Sequence, residues 1–125
     1  MSTPDEVVRA MCRSWSDPDT DPDRISAYFA EDAVYQNIPM EPIVGRAAIR
    51  DFIAEFRTAF DAIHIDIHHQ VAAGAVVMNE RTDTLRGADR VTPLRVMGFF
   101  EVTDGAISIW RDYFDMAAIN RAFDG

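Results

Sequence analysis

The sequence predicts an α+β fold in which helices pack against a curved antiparallel sheet. Helical and strand-like hydrophobic patterns follow one another in the order helix, helix, strand, helix and then four strands. Short turns separate the last four strands, which favours hairpins and segregates the strands from the helices. A curved sheet wrapped around a long helix would form a cone, and its open end would admit a ligand.

The first helix is predicted to begin near Pro4. Thr3 can cap it, and Asp5 and Glu6 suit the positive end of the helix dipole. The helix should end before SDPDTDPD, an acidic, proline-broken stretch that is typical of a solvated turn. After this turn, RISAYFA predicts a short helix and AVYQNI predicts a brief strand.

A strong amphipathic helix follows in RAAIRDFIAEFRTAF. Its apolar residues recur at spacings of three and four: Ile49, Phe52, Ile53, Phe56 and Phe60. The strands AIHIDIHHQVAA and AVVMNERTDTLR are separated by Gly74 and predict a hairpin. PLRVMGFFEV is the next strand, and Asp104 and Gly105 form a tight turn into AISIWRDYF. DMAAINRAF predicts a terminal helix capped by Asp115.

Composition narrows the possible functions. With 125 residues and 48% hydrophobic content, residues 1–125 fit one domain with a modest pocket. The net charge of −9 disfavours binding to nucleic acid or to anionic membranes, so a neutral small molecule is the expected partner. The sequence resembles neither a signal peptide at its start nor a membrane span elsewhere, which predicts a cytoplasmic protein.

Two other groups of reactive side chains favour structural interpretations. Cys12, the only cysteine, lies on the apolar face of the first helix and is expected to pack in the core. His64, Asp66 and His68 alternate on one strand face as metal ligands could. Three isoleucines occupy the opposite face, so this polar face more simply meets solvent or another subunit. We therefore expect no metal at these residues.

Three polar insertions interrupt the apolar strands, and we interpret them as one active site. Tyr35 and Asn37 lie in VYQNIP, Arg81 and Asp83 in NERTDTL, and Asp112 in IWRDYFD. Residues two apart on a strand point to the same face, so each pair presents its side chains together. If the three faces converge, two carboxylates, a guanidinium, a phenol and an amide meet inside an apolar cup.

Strand alternation also predicts what surrounds the charged groups. The face of Arg81 and Asp83 should include Val77, Asn79 and Leu85. The face of Asp112 should include Ala106, Ser108, Trp110 and Phe114. Because an isolated buried carboxylate is unfavourable, Arg81 is expected to bridge the two aspartates. Spacing alone favours a salt-bridge network that fixes sheet register over a catalytic pair.

The preference for a structural network over a catalytic pair changes when five stretches of the sequence are considered together. They are STPDE, YFAEDAVYQNIP, ERTDTLR, MGFFEVTDGAI and IWRDYFD. At these residues the chain resembles the limonene-1,2-epoxide hydrolase family over nearly its whole length. The resemblance implies a strongly curved mixed sheet wrapped around helices as a cone with a deep pocket. This cystatin-like fold is shared with ketosteroid isomerase-like and SnoaL-like polyketide-cyclase-like proteins. The resemblance also implies a homodimer that needs no cofactor.

The same resemblance implies a reaction and assigns roles to the polar residues. Family members open an epoxide to a vicinal diol in one concerted general acid/base step, without a covalent ester. The family's water-activating base matches Asp112, its epoxide-protonating acid matches Asp83, and Arg81 lies between them. Tyr35 and Asn37 match the residues that hold the water. The implied substrate is a hydrophobic epoxide, alicyclic or terpene-like.

The pocket wall is predicted from strand alternation and from the apolar face of the long helix. Its residues are Leu85, Leu94, Val96, Trp110, Ile53, Phe56, Phe60 and Phe114. Arg95 should face away from the pocket because Leu94 and Val96 alternate with it.

Two other functions remain compatible with the same cone. A ketosteroid isomerase-like or polyketide cyclase-like enzyme would use Asp112 or Asp83 to abstract a proton from carbon. A non-catalytic module of this fold would bind a small ligand without turnover. Turnover of an enolisable ketone would favour the first alternative, and ligand retention without product would favour the second.

Overall fold

The computed structural model describes residues 2–123. These residues form a six-stranded sheet with helices packed on one face. The elements in chain order are α1 (Pro4–Ser16), α2 (Pro22–Ser26), β1 (Phe29–Ile38), β2 (Ile43–Val44), α3 (Arg46–Thr58), β3 (Ala62–Ala73), β4 (Val76–Arg86), β5 (Val91–Thr103), β6 (Ala106–Phe114) and α4 (Met116–Phe123). None of the helices within the described residues is long and apolar enough to cross a membrane.

The sheet is curved and mixed, which confirms the predicted fold class. Its strands lie in the order β2, β1, β6, β5, β4, β3. Strands β3 to β6 pair as successive antiparallel hairpins, as expected, while β1 joins β6 in parallel. This parallel pairing brings the first strand beside the last one, so residues far apart in sequence become neighbours at the centre of the sheet.

Helix α1 begins as predicted, with a complete capping box. The Thr3 hydroxyl accepts from the Glu6 backbone N–H at 3.2 Å, and the Glu6 carboxylate accepts from the Thr3 N–H at 2.9 Å. Its apolar face is buried through Val7, Val8, Met11, Cys12 and Trp15. Asp115 caps α4 by accepting from the Ala117 N–H at 2.9 Å. Both helix starts are therefore fixed by local hydrogen bonds.

The second helix and the second strand differ from the prediction. Asp21 caps α2 through the Arg24 N–H at 2.9 Å, so this helix starts earlier and ends at Ser26. The Tyr28 carbonyl already accepts from the Ile107 N–H at 2.9 Å, which draws the following residues into β1. Strand β2 was not predicted, because its two residues are too few to show a period.

Strand β6 contains a bulge, so two residues that were predicted to share the face of Asp112 do not share it. Ile107 pairs with Val102 and Ile109 pairs with Glu101, so Ser108 is an extra residue in the ladder. The extra residue reverses the alternation and turns Ile107 inward, where it is fully buried. Ala106 and Ser108 consequently do not share the face of Asp112, contrary to the prediction from simple alternation.

Removing the Thr3 hydroxyl should destabilise the fold. In Thr3→Ala the capping box loses an acceptor, which should lower the free energy of unfolding by about 1 kcal/mol and Tm by about 3–6 °C. Ser2→Ala, at the neighbouring exposed residue outside the box, is the control and should leave Tm unchanged. Calorimetry measures both, and equal Tm values for the two variants would contradict the capping role.

Candidate active site

A cavity of about 210 Å³ lies between the helices and the inner face of the sheet. Its wall is largely apolar, and polar groups enter it at Tyr35, Asn37, Asp83 and Asp112. The full lining is Trp15, Tyr35, Asn37, Met40, Phe52, Phe56, Ile63, Ile65, Asp83, Leu85, Leu94, Val96, Trp110, Asp112, Phe114, Ile119 and Phe123. The three polar insertions found in the sequence therefore meet at one cavity.

Arg81 joins the two aspartates in the arrangement expected from the sequence. Its Nε and Nη2 donate to the two carboxylate oxygens of Asp83 at 2.9 and 3.0 Å. Nη2 also donates to Oδ2 of Asp112 at 2.5 Å. The Arg81 side chain is fully buried, and the side chains of Asp83 and Asp112 are 14% and 4% exposed. One guanidinium thus neutralises two carboxylates that border the same cavity.

Gly98 makes this bridge possible. Arg81 lies on β4 and Asp112 on β6, so the guanidinium must cross the intervening strand β5. At the crossing point Gly98 pairs with Asn79 on one side and with Asp112 on the other. A Cβ at this position would lie 2.5 Å from Arg81 Nη1 and 2.6 Å from Asn79 Oδ1. Only glycine leaves room for the arginine to reach the second carboxylate.

Sequence reasoning missed Gly98, although a signal for it exists. It interrupts the alternating strand VMGFFE, and an isolated glycine within a strand often marks a close approach of other groups. Alternation alone cannot reveal which group approaches, because the arginine comes from a neighbouring strand.

Two donors oppose the effect of burial on Asp112. Burial raises the pKa of Asp112 above its ordinary value, while the Arg81 guanidinium and the Trp110 N–H lower it. Trp110 Nε1 donates to Asp112 Oδ1 at 2.6 Å, so each oxygen of this carboxylate has its own donor. Burial also lowers the pKa of Arg81, but the two carboxylates outweigh it and raise that pKa overall, so Arg81 stays charged.

Tyr35 and Asn37 border the cavity from β1. The β1–β6 register places Tyr35 beside Trp110 and Asn37 beside Asp112. The Tyr35 ring stacks on Trp110 with centroids 4.2 Å apart, and its hydroxyl donates to Asn37 Oδ1 at 3.2 Å. Burial raises the pKa of Tyr35, which keeps it a neutral phenol. A phenol and an amide therefore stand next to the Asp112 carboxylate.

Most of the residues predicted to form the pocket wall lie at the cavity. These are Leu85, Leu94, Val96, Trp110, Phe56 and Phe114. The structure does not place Ile53 and Phe60 there: Ile53 is fully buried in the core, and Phe60 packs 5.2 Å from the Phe123 ring and lines a neighbouring cleft. Arg95 is exposed on the outer face of the sheet, as alternation predicts.

The face of α3 that meets the cavity explains this difference. Phe52 and Phe56, four residues apart, stack with centroids 5.7 Å apart and both line the cavity. Phe52 also meets the Tyr35 ring at 5.5 Å. Ile53 lies one residue further round the helix, about 100° away, and so points into the core. The apolar stripe was predicted correctly from Ile49 to Phe56, while Phe60 lies beyond the end of α3 at Thr58. Periodicity does not show which half of the stripe borders a cavity.

Cys12 is buried on α1, in agreement with the packing interpretation. Burial raises the pKa of its thiol to about 12, so the nucleophilic thiolate is strongly disfavoured.

Gly98→Ala should destabilise the protein far more than another glycine substitution. The added methyl group would displace Arg81 or Asn79, and such overpacking costs about 1–3 kcal/mol in the free energy of unfolding. Gly87→Ala is the control, because the nearest atom to its Cβ would be the Arg90 carbonyl oxygen at 3.8 Å. Urea denaturation measures both variants, and a Gly98→Ala protein as stable as Gly87→Ala would refute the close approach.

Comparisons with known proteins support one family. Residues 2–124 match the family model described as the limonene-1,2-epoxide hydrolase catalytic domain. Epoxide hydrolase EphG of Mycobacterium tuberculosis (strain ATCC 25618 / H37Rv) is 38% identical over 100 residues, which are 75% of this chain and 62% of that protein. The chain thus spans less than two thirds of the length of this curated relative.

Solved structures agree with the family match. The structure of an M. tuberculosis LEH-like epoxide hydrolase has a TM-score of 0.80 and 31% identity, covering 94% of this chain and 86% of that one. A Catenulispora acidiphila protein with a ketosteroid isomerase-like fold has a TM-score of 0.82 and 22% identity, with 94% and 91% covered, and shows the fold alone. On the match of its residues 2–124, this chain belongs to the limonene-1,2-epoxide hydrolase family.

Proposed function

We propose that this protein is an epoxide hydrolase that adds water to a hydrophobic epoxide and forms a vicinal diol in one general acid/base step. The observation that carries this proposal is the pair of carboxylates, bridged by Arg81 and bordering an apolar cavity. A strained ether opens most easily when its oxygen gains a proton while water attacks carbon from the opposite side. Two carboxyl groups facing one cavity can supply both functions.

Asp112 is proposed to activate the water. A water molecule held by Asp112, Tyr35 and Asn37 would lose a proton to the Asp112 carboxylate as its oxygen attacks an epoxide carbon. The Tyr35 hydroxyl and the Asn37 amide, 3.2 Å apart, offer the hydrogen bonds that hold such a water in place. Fixing the water in line with the breaking C–O bond removes much of the entropic barrier.

Asp83 is proposed to protonate the epoxide oxygen. With Arg81 always charged, one proton shared by the two carboxyl groups makes the buried trio neutral, which avoids a net charge next to an apolar cavity. We assign this proton to Asp83 because the resemblance to the family gives Asp83 the role of the acid and Asp112 the role of the base. After turnover, one proton moving from Asp112 back to Asp83 restores both groups.

The cavity wall supports a hydrophobic, alicyclic or terpene-like substrate. Aromatic rings at Phe52, Phe56 and Trp110 and aliphatic side chains at Leu85 and Leu94 form much of it. Such a wall selects by shape and gains affinity from buried apolar surface. A panel of epoxides of graded size, with chiral separation of the diols, would identify the preferred ring size.

Asp112→Asn should lower kcat for diol formation at least about 100-fold while the protein stays folded. The amide cannot accept the proton from water, and losing a general base lowers kcat by about 10²- to 10⁴-fold. Asp66→Asn, on the exposed face of β3, is the charge-matched control and should keep full activity. Chromatography of the diol from limonene 1,2-epoxide and cyclohexene oxide measures both variants. An Asp112→Asn protein that keeps the kcat of the unmodified protein would refute the assignment. Turnover of an enolisable ketone but no epoxide would favour an isomerase.

The pH dependence should reveal the environment of Asp112. Burial raises its pKa above the ordinary 3.8, and the base works only when ionised, so kcat/KM should fall as pH falls through this raised pKa. Trp110→Phe keeps an aromatic ring but removes the N–H that favours the carboxylate. The acid limb should then move to higher pH, because the carboxylate loses one of its two hydrogen-bond donors.

Trp15→Phe is the matched control for this pH measurement. The Trp15 Nε1 is buried and has no hydrogen-bond partner within residues 2–123, so removing its N–H should not move the acid limb. An acid limb that stays in place in Trp110→Phe would show that the indole does not set the ionisation of the base.

A further inference from the structure

A chain of hydrogen bonds leads from Arg81 away from the cavity to the first turn of α1. Arg81 Nη1 donates to Asn79 Oδ1 at 3.2 Å, and Asn79 Nδ2 donates to Gln70 Oε1 at 3.0 Å. Gln70 Nε2 then donates to Asp5, to its carboxylate at 2.9 Å and to its carbonyl at 3.1 Å. We call Asn79, Gln70 and Asp5 the relay.

The hydrogen bonds of the relay can all run in only one direction, from Arg81 to Asp5. Arg81 can only donate, and the Asp5 carboxylate can only accept. Between them, Asn79 and Gln70 each accept at the oxygen and donate at the nitrogen of the amide. Reversing either amide would place two donors or two acceptors opposite each other. The charged ends therefore fix the orientation of both amides.

Solvent cannot replace the relay at its inner end. Asn79 is 2% exposed and Arg81 is 1% exposed, so Nη1 would lose this acceptor with little access to water if Asn79 were apolar. The three guanidinium nitrogens are each held: Nε by Asp83, Nη2 by Asp83 and Asp112, and Nη1 by Asn79. Asn79 thus supplies the contact to the guanidinium on the side away from the carboxylates.

A bulge in β3 brings Gln70 into the relay. Ile67 pairs with Arg81 and His69 pairs with Glu80, so His68 is an extra residue that reverses the alternation of the strand. Gln70 then pairs with Asn79 and becomes half-buried, with its side chain between β4 and α1. A regular strand would have continued the alternation and pointed Gln70 away from Asn79.

We propose that Asn79 and Gln70 are positioning residues that hold the Arg81 guanidinium in place between the two aspartates. The proposal rests on the proposed epoxide hydrolase function, because it assigns the relay a role in that reaction. The carboxylates alone would let the guanidinium tilt towards either partner, while the bond at Nη1 resists this tilt. Neither residue lines the cavity, so the relay should affect the chemical step and leave substrate binding unchanged.

Asn79→Leu tests the proposal with a similar side-chain volume and no hydrogen bond. We expect kcat to fall about 10- to 100-fold while KM changes less than about twofold, since misplacing a catalytic group slows the reaction without touching the cavity. Gln70→Leu should give a smaller loss. The double variant should be no worse than Asn79→Leu alone, because both substitutions break one chain.

A second measurement does not depend on activity. In ¹⁵N NMR spectra of the intact protein, a guanidinium held at all three nitrogens should show separate, slowly exchanging Nη signals for Arg81. These signals should merge or disappear in Asn79→Leu, and in Gln70→Leu to a lesser extent. Thr92→Val, which removes a different buried polar group from the same sheet, is the control and should keep both kcat and the Nη signals.

The possible outcomes distinguish failure of the relay from failure of the proposed epoxide hydrolase function. Unchanged Arg81 Nη signals in Asn79→Leu would overturn the relay, whatever the enzyme does. An unchanged kcat, or a loss confined to KM, would overturn its role in positioning. If the unmodified protein turns over no epoxide, the proposed function fails, and the NMR spectra still decide whether the relay holds Arg81. If Asn79→Leu does not fold, Gln70→Leu at its half-buried position decides both questions.

Discussion

The buried charge of Arg81 is the constraint on which the site depends. A guanidinium removed from water is strongly unfavourable unless anions and acceptors surround it, so its neighbours must be placed accurately. Asp83 comes from the same strand, but Asp112 comes from two strands away, across β5. The arginine passes over Gly98 to reach Asp112, so the ion bridge forms only when β4, β5 and β6 are paired in this register. The bridge in turn stabilises that register.

Bulges in β3 and β6 change which residues of these strands face inward. The extra residue Ser108 turns Ile107 into the core, while Trp110 and Asp112 stay directed inward. The extra residue His68 turns Gln70 towards Asn79, behind the arginine. Regular strands would supply only alternating faces, so a regular β3 would point Gln70 away from Asn79 and a regular β6 would not bury Ile107 in the core. The bulge in β3 thus places a polar partner behind Arg81, and the bulge in β6 places an apolar side chain in the core.

How much the sequence could predict depended on the range of the interactions. Alternation and capping are local, and they predicted the bounds of β3 and β6 and the start of α1. The bridge from Arg81 to Asp83 and Asp112 was expected for another reason, because an isolated buried carboxylate is unfavourable. The bulges, the crossing at Gly98 and the relay depend on contacts between strands that a single sequence does not display. Which side of α3 faces the cavity is also a tertiary property, and this explains why Phe52 was missed.

The central claim is that water attacks the epoxide directly, with Arg81 holding an acid and a base on one cavity. A single turnover in ¹⁸O-labelled water, with enzyme in excess over limonene 1,2-epoxide, tests it most directly. Mass spectrometry should find the label in the first diol formed, with none in the peptides that contain Asp83 and Asp112. An unlabelled first diol, with ¹⁸O in either aspartate, would reveal an ester intermediate and contradict the account.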